Sequence, residues 1–242
     1  MNTSTDWFAS WFDTSFYHIL YKNRDHKEAR LFMANLASFL KLKKNDRVLD
    51  LACGKGRHSL FLNSLGFDVV GVDLSKNSID YANEFSNETL RFVQRDMRDP
   101  LNLKYDGIFN LFTSFGYFDD DKEDILILNN IKQGLNKDGA FVFDFLNAEK
   151  VKLNLVKEET KIVDDITFYI KREIKNGFIL KHISFFADNE QHSYTEQVKY
   201  LDLSKMTSFF KEVGFTITNV FGNYNLDAYS AKTSDRLIII AK

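Results

Sequence analysis

Two glycines and two acids with a fixed spacing are the first residues whose types suggest ligand chemistry. Gly54 and Gly56 form a turn after the apolar run that contains Asp50, and Asp73 ends the next apolar run. Glycine has no Cβ and adopts left-handed backbone angles, so a ligand can lie against the main chain. An acid about 20 residues beyond such a turn can accept both hydroxyls of a ribose. The pattern indicates a nucleotide-type ligand.

The turn also distinguishes between two kinds of nucleotide ligand. Dinucleotide-binding turns have a third glycine where this chain has Ser59. The carboxylate of Asp50 would repel a pyrophosphate, whereas it would help to hold an ammonium group directly or through water. Both residues favour an adenosine ligand with a cationic amino-acid tail. A nicotinamide cofactor, and with it a nicotinamide-dependent oxidoreductase, stays open as the alternative.

Two further segments follow later predicted strands and could complete a site. Asp96 and Met97 come after the third strand, where a carboxylate can accept from an adenine amine and a thioether can pack on the ring. The loop at 110–118 places Phe112 and Tyr117 after the fourth strand. Aromatic faces and carbonyls in such a loop suit a sulfonium ion. We therefore expect this loop to form a wall beside the reacting centre.

Alternating strand and helix patterns predict how these residues are positioned. Apolar runs alternate with segments of helical periodicity as far as residue 147, which predicts a doubly wound α/β fold with a parallel sheet and right-handed crossovers. Ser75 is a predicted helix N-cap. The predicted strands are 47–51, 67–72, 90–94, 105–112 and 140–145; the predicted helices are 57–65, 76–85 and one that begins at 119–121 and reaches 135; 136–139 is a predicted turn.

The pattern changes after Asn147. Residues 155–200 alternate between apolar and polar side chains and contain the hairpin dipeptide Asn176-Gly177, so two to four antiparallel strands are predicted there. A helix and two final strands follow, with predicted limits of 203–213, 215–221 and 236–241.

The N-terminal segment 6–40 has apolar residues at helical spacing on both sides of a polar break at 21–26. This pattern predicts two amphipathic helices packed on the domain. The break could instead cap a ligand, in which case Tyr17, Tyr21 and Arg24 would face it.

Composition limits the class of protein. The chain has 242 residues, 44% of them hydrophobic, which suffices for one domain with a sizeable core. The formal net charge of −2 gives no excess positive charge that would favour nucleic acid. Cys53 is the single cysteine; it excludes an internal disulfide and fits a reducing compartment. The N-terminus lacks a signal-peptide pattern, and no long apolar run or Cys/His metal spacing occurs. We expect a cytoplasmic protein that neither binds a membrane nor holds a metal.

Four motifs in order resemble those of the class I S-adenosylmethionine-dependent methyltransferases. They read VLDLACGKGRHS, GVDLS, FVQRDMRD and NLFTSFGYF, and the resemblance covers residues 47–147. It implies a Rossmann-like seven-stranded mixed sheet whose last strand is antiparallel, with an antiparallel β insertion after strand five. The implied division is one domain, 1–242, with a helical cap at 1–45, a core at 46–150 and 202–242, and an inserted lid at 151–201.

The same resemblance implies a cofactor site and a class of reaction. The cofactor would be S-adenosylmethionine, with S-adenosylhomocysteine as product, and the cap would supply a Tyr or Arg for the cofactor carboxylate. The expected cofactor residues are Tyr17, Tyr21, Arg24, Asp50, Ala52, Gly54, Gly56, Asp73, Leu74, Asp96, Met97 and Phe112. The chain lacks an Asn-Pro-Pro-Tyr-type signature after strand four, which disfavours the nucleic-acid amino-methylating branch.

The acceptor is expected to be a small molecule methylated at O, N or C. Methyl transfer mainly requires alignment of a nucleophile with the sulfonium and exclusion of water, so no general base is obligatory. Tyr117 is the expected catalytic residue, as a positioning hydroxyl. Further candidates are Asp144 and Asn147 near the mouth and, on the lid, His182, Tyr194 and Glu196. A non-enzymatic adenosyl-binding protein stays open as an alternative, and so does a homodimer through the inserted strands.

Overall fold

The structure is a computed structural model that describes residues 7–22 and 26–242; of Ala9 and His26 it describes the backbone alone. The helices are α1 (Trp7–Phe12), α2 (Ser15–Leu20), α3 (His26–Leu40), α4 (Arg57–Ser64), α5 (Lys76–Asn83), α6 (Asp121–Gly134), α7 (Ala148–Leu153) and α8 (Leu203–Glu212). The strands are β1 (Arg47–Leu51), β2 (Asp68–Asp73), β3 (Leu90–Gln94), β4 (Tyr105–Asn110), β5 (Leu135–Leu146), β6 (Glu158–Val163), β7 (Ile166–Lys175), β8 (Phe178–Ala187), β9 (Glu190–Lys199), β10 (Ile217–Phe221) and β11 (Arg236–Ala241).

The core is a seven-stranded sheet with the order β10-β11-β5-β4-β1-β2-β3. The five strands from β5 to β3 pair in parallel, while β11 pairs antiparallel with both of its neighbours. The predicted fold class, a doubly wound α/β sheet with an antiparallel last strand, is therefore confirmed. Parallel strands carry binding sites at their carboxyl ends, so the sheet brings the ends of β1, β2, β3 and β4 to one edge.

Helices cover both faces of this sheet, which is why its central strands are mostly apolar and buried. Along β11, Leu237 and Ile239 pack into the cluster that contains α6 and α8, whereas Ile238 and Ile240 pack into the cluster that contains α3, α4 and α5. This alternation follows from the two-residue period of a strand. The rigid sheet fixes the positions of the loops at its edge.

Three features differ most from the sequence prediction. The first predicted helix is two short ones, α1 and α2, because Thr14 interrupts it and caps α2 by accepting from Tyr17 N at 3.1 Å. Strand β5 begins at Leu135, which pairs with Tyr105 before the register shifts, so the predicted turn at 136–139 lies within the strand. The short helix α7 was not predicted; Asn147 caps it through Lys150 N.

The insertion is a separate antiparallel sheet of four strands in the order β6-β7-β8-β9, called the lid sheet below. Asn176 and Gly177 both have positive φ, at 52° and 80°, as the predicted two-residue hairpin requires. The inner face of the lid sheet buries Phe168, Ile183 and Phe185 against α1 and α2. The predicted antiparallel insertion is confirmed, and it packs on the N-terminal helices.

Within the described ranges, none of the helices is both long and apolar enough to cross a bilayer.

Candidate functional site

The turn between β1 and α4 has three residues with left-handed backbone angles. These are Ala52, Gly54 and Gly56, with φ of 64°, 55° and 80°. Cys53 N donates to Val72 O at 2.9 Å, which ties the turn to the end of β2. A Cβ added at Gly54 would meet nothing within 4 Å, so open space lies against the backbone there. The turn therefore presents its main chain to a cavity.

Asp73 closes this turn from the end of β2. Its Oδ2 accepts from Gly54 N at 2.7 Å, and its Oδ1 accepts from Ser75 N at 2.9 Å. Burial raises the pKa of this carboxyl, against the effect of these hydrogen bonds. A carboxylate offers about four lone-pair positions, so each oxygen can accept a further hydrogen bond from a ligand hydroxyl.

Asp96 and Met97 follow β3 on the same edge of the sheet. Arg98 donates to Asp96 through Nε at 3.0 Å and through Nη2 at 2.6 Å. Burial acts to raise the pKa of Asp96, but the hydrogen bonds and charge of Arg98 outweigh it and the pKa is lowered. This side chain is therefore an ionised hydrogen-bond acceptor at neutral pH.

Asp50 is buried inside β1, where Ser59 Oγ donates to its Oδ2 at 2.6 Å. Ser59 thus satisfies a buried carboxyl at the position where a dinucleotide turn has its third glycine. Burial raises the pKa of Asp50 to about 6, and the neighbouring charge of Asp73 acts in the same direction. Ionised Asp50 is a costly group that a nearby cation would stabilise.

Replacing Asp50 with asparagine is expected to stabilise the fold in a pH-dependent way. The folded state holds the proton more tightly than the unfolded chain, so stability present below about pH 4 is lost as the pH rises through about 6. Asp50→Asn should raise the free energy of unfolding by about 2–3 kcal/mol at pH 8 and by less than about 1 kcal/mol at pH 4. Urea unfolding at both pH values measures this, and an equal effect at both would contradict it.

A cavity of about 360 Å³ lies at this edge of the sheet and is called the cofactor cavity below. Ten of the predicted site residues line it: Tyr17, Tyr21, Ala52, Gly54, Asp73, Leu74, Asp96, Met97, Phe112 and Tyr117. Asp50 and Gly56 lie outside its lining. Arg24 lies outside the described residues. Asp73, Asp96 and the N-terminal tyrosines therefore face one space.

Gly56 has a structural role that the sequence prediction missed. It caps α4 with a left-handed backbone, and a Cβ on it would lie 2.6 Å from the ring of Phe92. Phe92 is buried, so its ring cannot move aside. Of the two glycines in the turn, Gly54 faces the cavity and Gly56 allows α4 to pack against β3.

The connection between α1 and α2 fastens these helices over the cofactor cavity. Asp13 Oδ1 accepts from Ser75 Oγ at 2.5 Å, and its Oδ2 accepts from Asn77 Nδ2 at 2.8 Å, at the N-terminus of α5. A carboxylate there is favoured by the helix dipole. Phe8 and Phe12 of α1 line the cavity as a result.

The loop after β4 is held in an unusual backbone conformation. Phe112 and Thr113 both have positive φ, at 60° and 67°. The carboxylate of Asp144 accepts from Phe112 N at 2.9 Å and from Arg236 Nε at 2.7 Å, and Arg236 Nη2 donates to Thr113 Oγ1 at 3.1 Å. Positive φ in bulky residues costs about 1–3 kcal/mol each, so this ion pair fixes the ring of Phe112 in the cavity wall.

A second cavity, of about 740 Å³, lies between the core, α7, the N-terminal helices and the lid sheet. It is called the acceptor cavity below. Five residues line both cavities: Phe12, Tyr17, Tyr21, Phe112 and Tyr117. These residues form the shared wall. Two ligands, one in each cavity, would therefore meet at the shared wall.

Tyr117 packs in this wall with its hydroxyl already in use. Its Oη donates to Thr113 O at 3.0 Å, and its ring stacks on Phe8 with the centroids 5.7 Å apart. Burial raises the pKa of the phenol far above its usual range. The geometry suits a side chain that shapes the site and does not suit a general base.

The other catalytic candidates have different positions. Asp144 is paired with Arg236, and Asn147 caps α7. His182 is opposite Lys171 and Thr195, and its Nδ1 is 3.0 Å from Thr195 Oγ1 on the outer face of the lid sheet. Tyr194 stacks on Trp11, with centroids 4.4 Å apart. Glu196 is the lid candidate that lines the acceptor cavity.

Sequence reasoning missed several charged residues that line the two cavities. They include Arg57 in the cofactor cavity and Arg172, Lys181 and Arg236 in the acceptor cavity. The hairpin at 176–177 offers a signal for two of them, because a two-residue turn fixes which side chains lie opposite each other. A lone arginine that opens the apolar run at 236–241 is a signal for the third.

Comparison with known proteins identifies the family. The profile of the family described as a methyltransferase domain matches residues 42–219, about three quarters of the chain. The chain belongs to the class I S-adenosylmethionine-dependent methyltransferases. The predicted family is therefore confirmed, and the comparisons give the nicotinamide-dependent oxidoreductase no support.

Two relatives and one solved structure illustrate the similarity of this methyltransferase to known proteins. It is 24% identical to the putative methyltransferase YqeM of Bacillus subtilis (strain 168), over 83% of this chain and 85% of that protein. It is 24% identical to the cypemycin N-terminal methyltransferase of a Streptomyces species, over 81% and 82%. An S-adenosylmethionine-dependent methyltransferase structure from Clostridium acetobutylicum ATCC 824 matches with a TM-score of 0.79 at 20% identity, over 97% of each chain.

The cofactor of this methyltransferase is S-adenosylmethionine. The donor set of the cofactor cavity fits it: Asp73 and Asp96 are acceptors for hydroxyl and amine groups, and Met97 offers an apolar side chain. Gly54 leaves room beside the backbone. Within 7–22 and 26–242, no cluster of three or more His, Cys, Asp or Glu side chains could hold a metal ion.

Proposed function

We propose that the protein transfers a methyl group from S-adenosylmethionine to a small-molecule acceptor bound beneath the lid sheet. The observation that supports this is the shared wall: one set of five residues borders both the cofactor cavity and the acceptor cavity. A methyl group in one cavity and a nucleophile in the other would then be adjacent at this wall. Alignment of these two groups is the main requirement of the reaction.

In this proposal the cofactor cavity binds the cofactor by its three parts. Asp73 accepts from the ribose hydroxyls, Asp96 accepts from the adenine amine, and Met97 and Leu74 pack against the ring. The turn with Ala52 and Gly54 approaches the amino-acid tail. Asp50, beneath the turn, contributes negative charge toward the ammonium group.

Three further cofactor residues, Tyr17, Tyr21 and Phe112, belong to the shared wall. Phe112 offers its face to the sulfonium, and Tyr17, Tyr21 and Arg24 serve the carboxylate end, as the resemblance implies. When bound, S-adenosylmethionine supplies an electrophilic methyl group on a cationic sulfur.

The protein's own part in the reaction is alignment and exclusion of water. The rings of Phe12, Phe112 and Tyr117 make the shared wall largely apolar, and a water-free wall strengthens electrostatic attraction within it. We propose Tyr117 as the positioning side chain, acting through its packed ring and its fixed hydroxyl. An acceptor proton would leave to solvent or to a lid side chain.

We propose the same division of labour along the chain as the sequence predicts: a cap at 1–45, a core at 46–150 and 202–242, and a lid at 151–201, acting together in the cytoplasm. A homodimer through the lid is part of the proposal. The outer face of the lid sheet exposes three large apolar side chains, Ile162, Tyr169 and Phe186. Exposed apolar groups of this kind are typical of contact surfaces.

Replacing Asp73 with alanine tests the cofactor half of the proposal. Loss of hydrogen bonds to the ribose should weaken S-adenosylmethionine binding by about 1–3 kcal/mol, or roughly 5- to 150-fold. Titration calorimetry measures the affinity, with S-adenosylhomocysteine as a second ligand. Asp80→Ala is the control, because Asp80 is an exposed acid on α5 that pairs with Lys76. Unchanged affinity in Asp73→Ala would mean that this acid serves the turn alone.

Turnover tests the acceptor half. Incubation with labelled S-adenosylmethionine and a panel of small O, N and C nucleophiles should yield a methylated product together with S-adenosylhomocysteine. Cofactor binding without transfer to any acceptor would favour the non-enzymatic adenosyl-binding alternative. Tighter binding of NAD than of S-adenosylmethionine would overturn the proposal.

A further inference from the structure

The inner face of the lid sheet carries a row of charged side chains over the acceptor cavity. Arg172 of β7 lies opposite Lys181 of β8, and Lys181 lies opposite Glu196 of β9. Glu159 of β6 pairs with Arg172, with Oε2 and Nη2 2.5 Å apart. All four side chains line the acceptor cavity. The row consists of two ion pairs, Glu159 with Arg172 and Lys181 with Glu196.

The carboxylate of Glu196 is used by the N-terminal helices. Its Oε1 accepts from Trp11 Nε1 at 2.8 Å, and Tyr21 Oη lies 2.8 Å from Oε1 and 2.7 Å from Oε2. These donors come from α1 and from the end of α2. Glu196 therefore joins the lid sheet to the N-terminal helices, and its negative charge is directed at protein donors.

The two cations of the row, Lys181 and Arg172, have more N–H groups than their contacts within the protein use. Lys181 Nζ donates to Tyr21 Oη and lies 3.5 Å from Glu196 Oε2. Arg172 donates from Nη1 to Val156 O at 3.3 Å and from Nη2 to Glu159. An ammonium has three donors and a guanidinium five, so donors of both side chains remain for a ligand.

The same two cations are direct cross-strand neighbours, which places their Cβ atoms about 4.5–5.5 Å apart. Like charges in this position repel each other. Burial lowers the pKa of Lys181, and the charge of Arg172 acts in the same direction against the attraction of Glu196. An anion between the two side chains would remove this repulsion and accept from both.

We propose that the acceptor carries a carboxylate group, which Lys181 and Arg172 bind on the lid side of the acceptor cavity. The nucleophilic atom of the acceptor then points toward the shared wall. This inference rests on the proposed methyltransferase function and adds the substrate class to it. A cationic acceptor fits less well, since the oxygens of Glu196 already accept from Trp11 and Tyr21.

The test uses the full chain with S-adenosylhomocysteine bound, and benzoate and benzamide as matched probes of the same shape. Calorimetry should show benzoate binding at least tenfold more tightly than benzamide. Lys181→Gln should weaken benzoate binding at least tenfold and leave benzamide binding unchanged, because glutamine keeps a donor for Tyr21 but lacks the charge. Arg172→Gln serves as a second variant with the same expected result.

Lys171→Gln is the control. Lys171 lies beside Arg172 on β7 but on the outer face, and it makes an exposed ion pair with Glu158 at 3.3 Å. The Lys171→Gln variant should bind benzoate and benzamide with the same affinities as the unmodified protein. Equal affinities for the two probes, no binding of either, or unchanged benzoate binding in both lid variants would each overturn the inference. Failure of the proposed function is distinguishable, because it would show as absence of methyl transfer in the turnover assay, whatever the affinity for benzoate.

Discussion

Replacing Asp144 with alanine is expected to lower the free energy of unfolding by about 3–5 kcal/mol, because it leaves a buried arginine without its partner. The Asp144 side chain is 0% exposed and the Arg236 side chain 17% exposed, with Oδ1 and Nε 2.7 Å apart. Phe112 N loses its acceptor in the same variant. The shared wall should lose its fixed shape, so any methyl transfer activity should fall as well.

Urea unfolding at pH 7 measures this change in stability. Glu158→Ala is the matched control, since its pair with Lys171 is exposed and surface pairs contribute about 0–1 kcal/mol. The double variant Asp144→Ala with Arg236→Met should regain part of the loss, because it removes both charges together. A loss below about 1 kcal/mol in Asp144→Ala would show that the pair does not hold the loop.

The second large effect is expected from valine at Gly54. The new side chain would occupy the cofactor cavity, where a Cβ meets nothing within 4 Å. Overpacking of this kind costs about 1–3 kcal/mol, which corresponds to a roughly 5- to 150-fold loss of S-adenosylmethionine affinity. The positive φ of 55° adds backbone strain. Calorimetry below the melting temperature measures affinity separately from this strain.

Gly56→Ala is the comparison for that variant. Its Cβ would lie 2.6 Å from the Phe92 ring, so we expect a loss of about 2–4 kcal/mol in folding free energy from overpacking and strain. Cofactor affinity of the folded fraction should change little. A large loss of affinity in Gly56→Ala with normal stability would reverse the roles assigned to the two glycines.

Sequence patterns predicted those features whose physical cause lies within a short stretch of the chain. The apolar run at 236–241 predicts a buried strand because both of its faces are covered, and Asn176-Gly177 predicts a hairpin because both residues tolerate positive φ. The number of residues from Gly54 to Asp73 predicts that the glycine turn and this acid lie side by side, because one strand–helix–strand unit separates them. The structure has all three features.

Features that depend on distant partners were not predictable in this way. The position of α1 and α2 over the cofactor cavity depends on Asp13, which binds Ser75, 62 residues further along the chain. The ion pair of Asp144 with Arg236 spans 92 residues. From the sequence alone, charged residues such as Lys181 are assigned to the solvated face of a strand. The strand register and the covering helices are needed to place them on the inner face. The acceptor cavity is made of such long-range contacts, which is why its side chains were the least predictable.

The two cavities also differ in how much of the chain supplies their linings. Among the described residues, the lining of the cofactor cavity runs from Phe8 to Phe118, whereas the lining of the acceptor cavity runs from Trp7 to Arg236. Synthesis proceeds from the N-terminus. The residues that line the cofactor cavity are therefore synthesised before the lid sheet, which begins at Glu158. The lining of the acceptor cavity is complete only when β11 has been made, because Arg236 belongs to it.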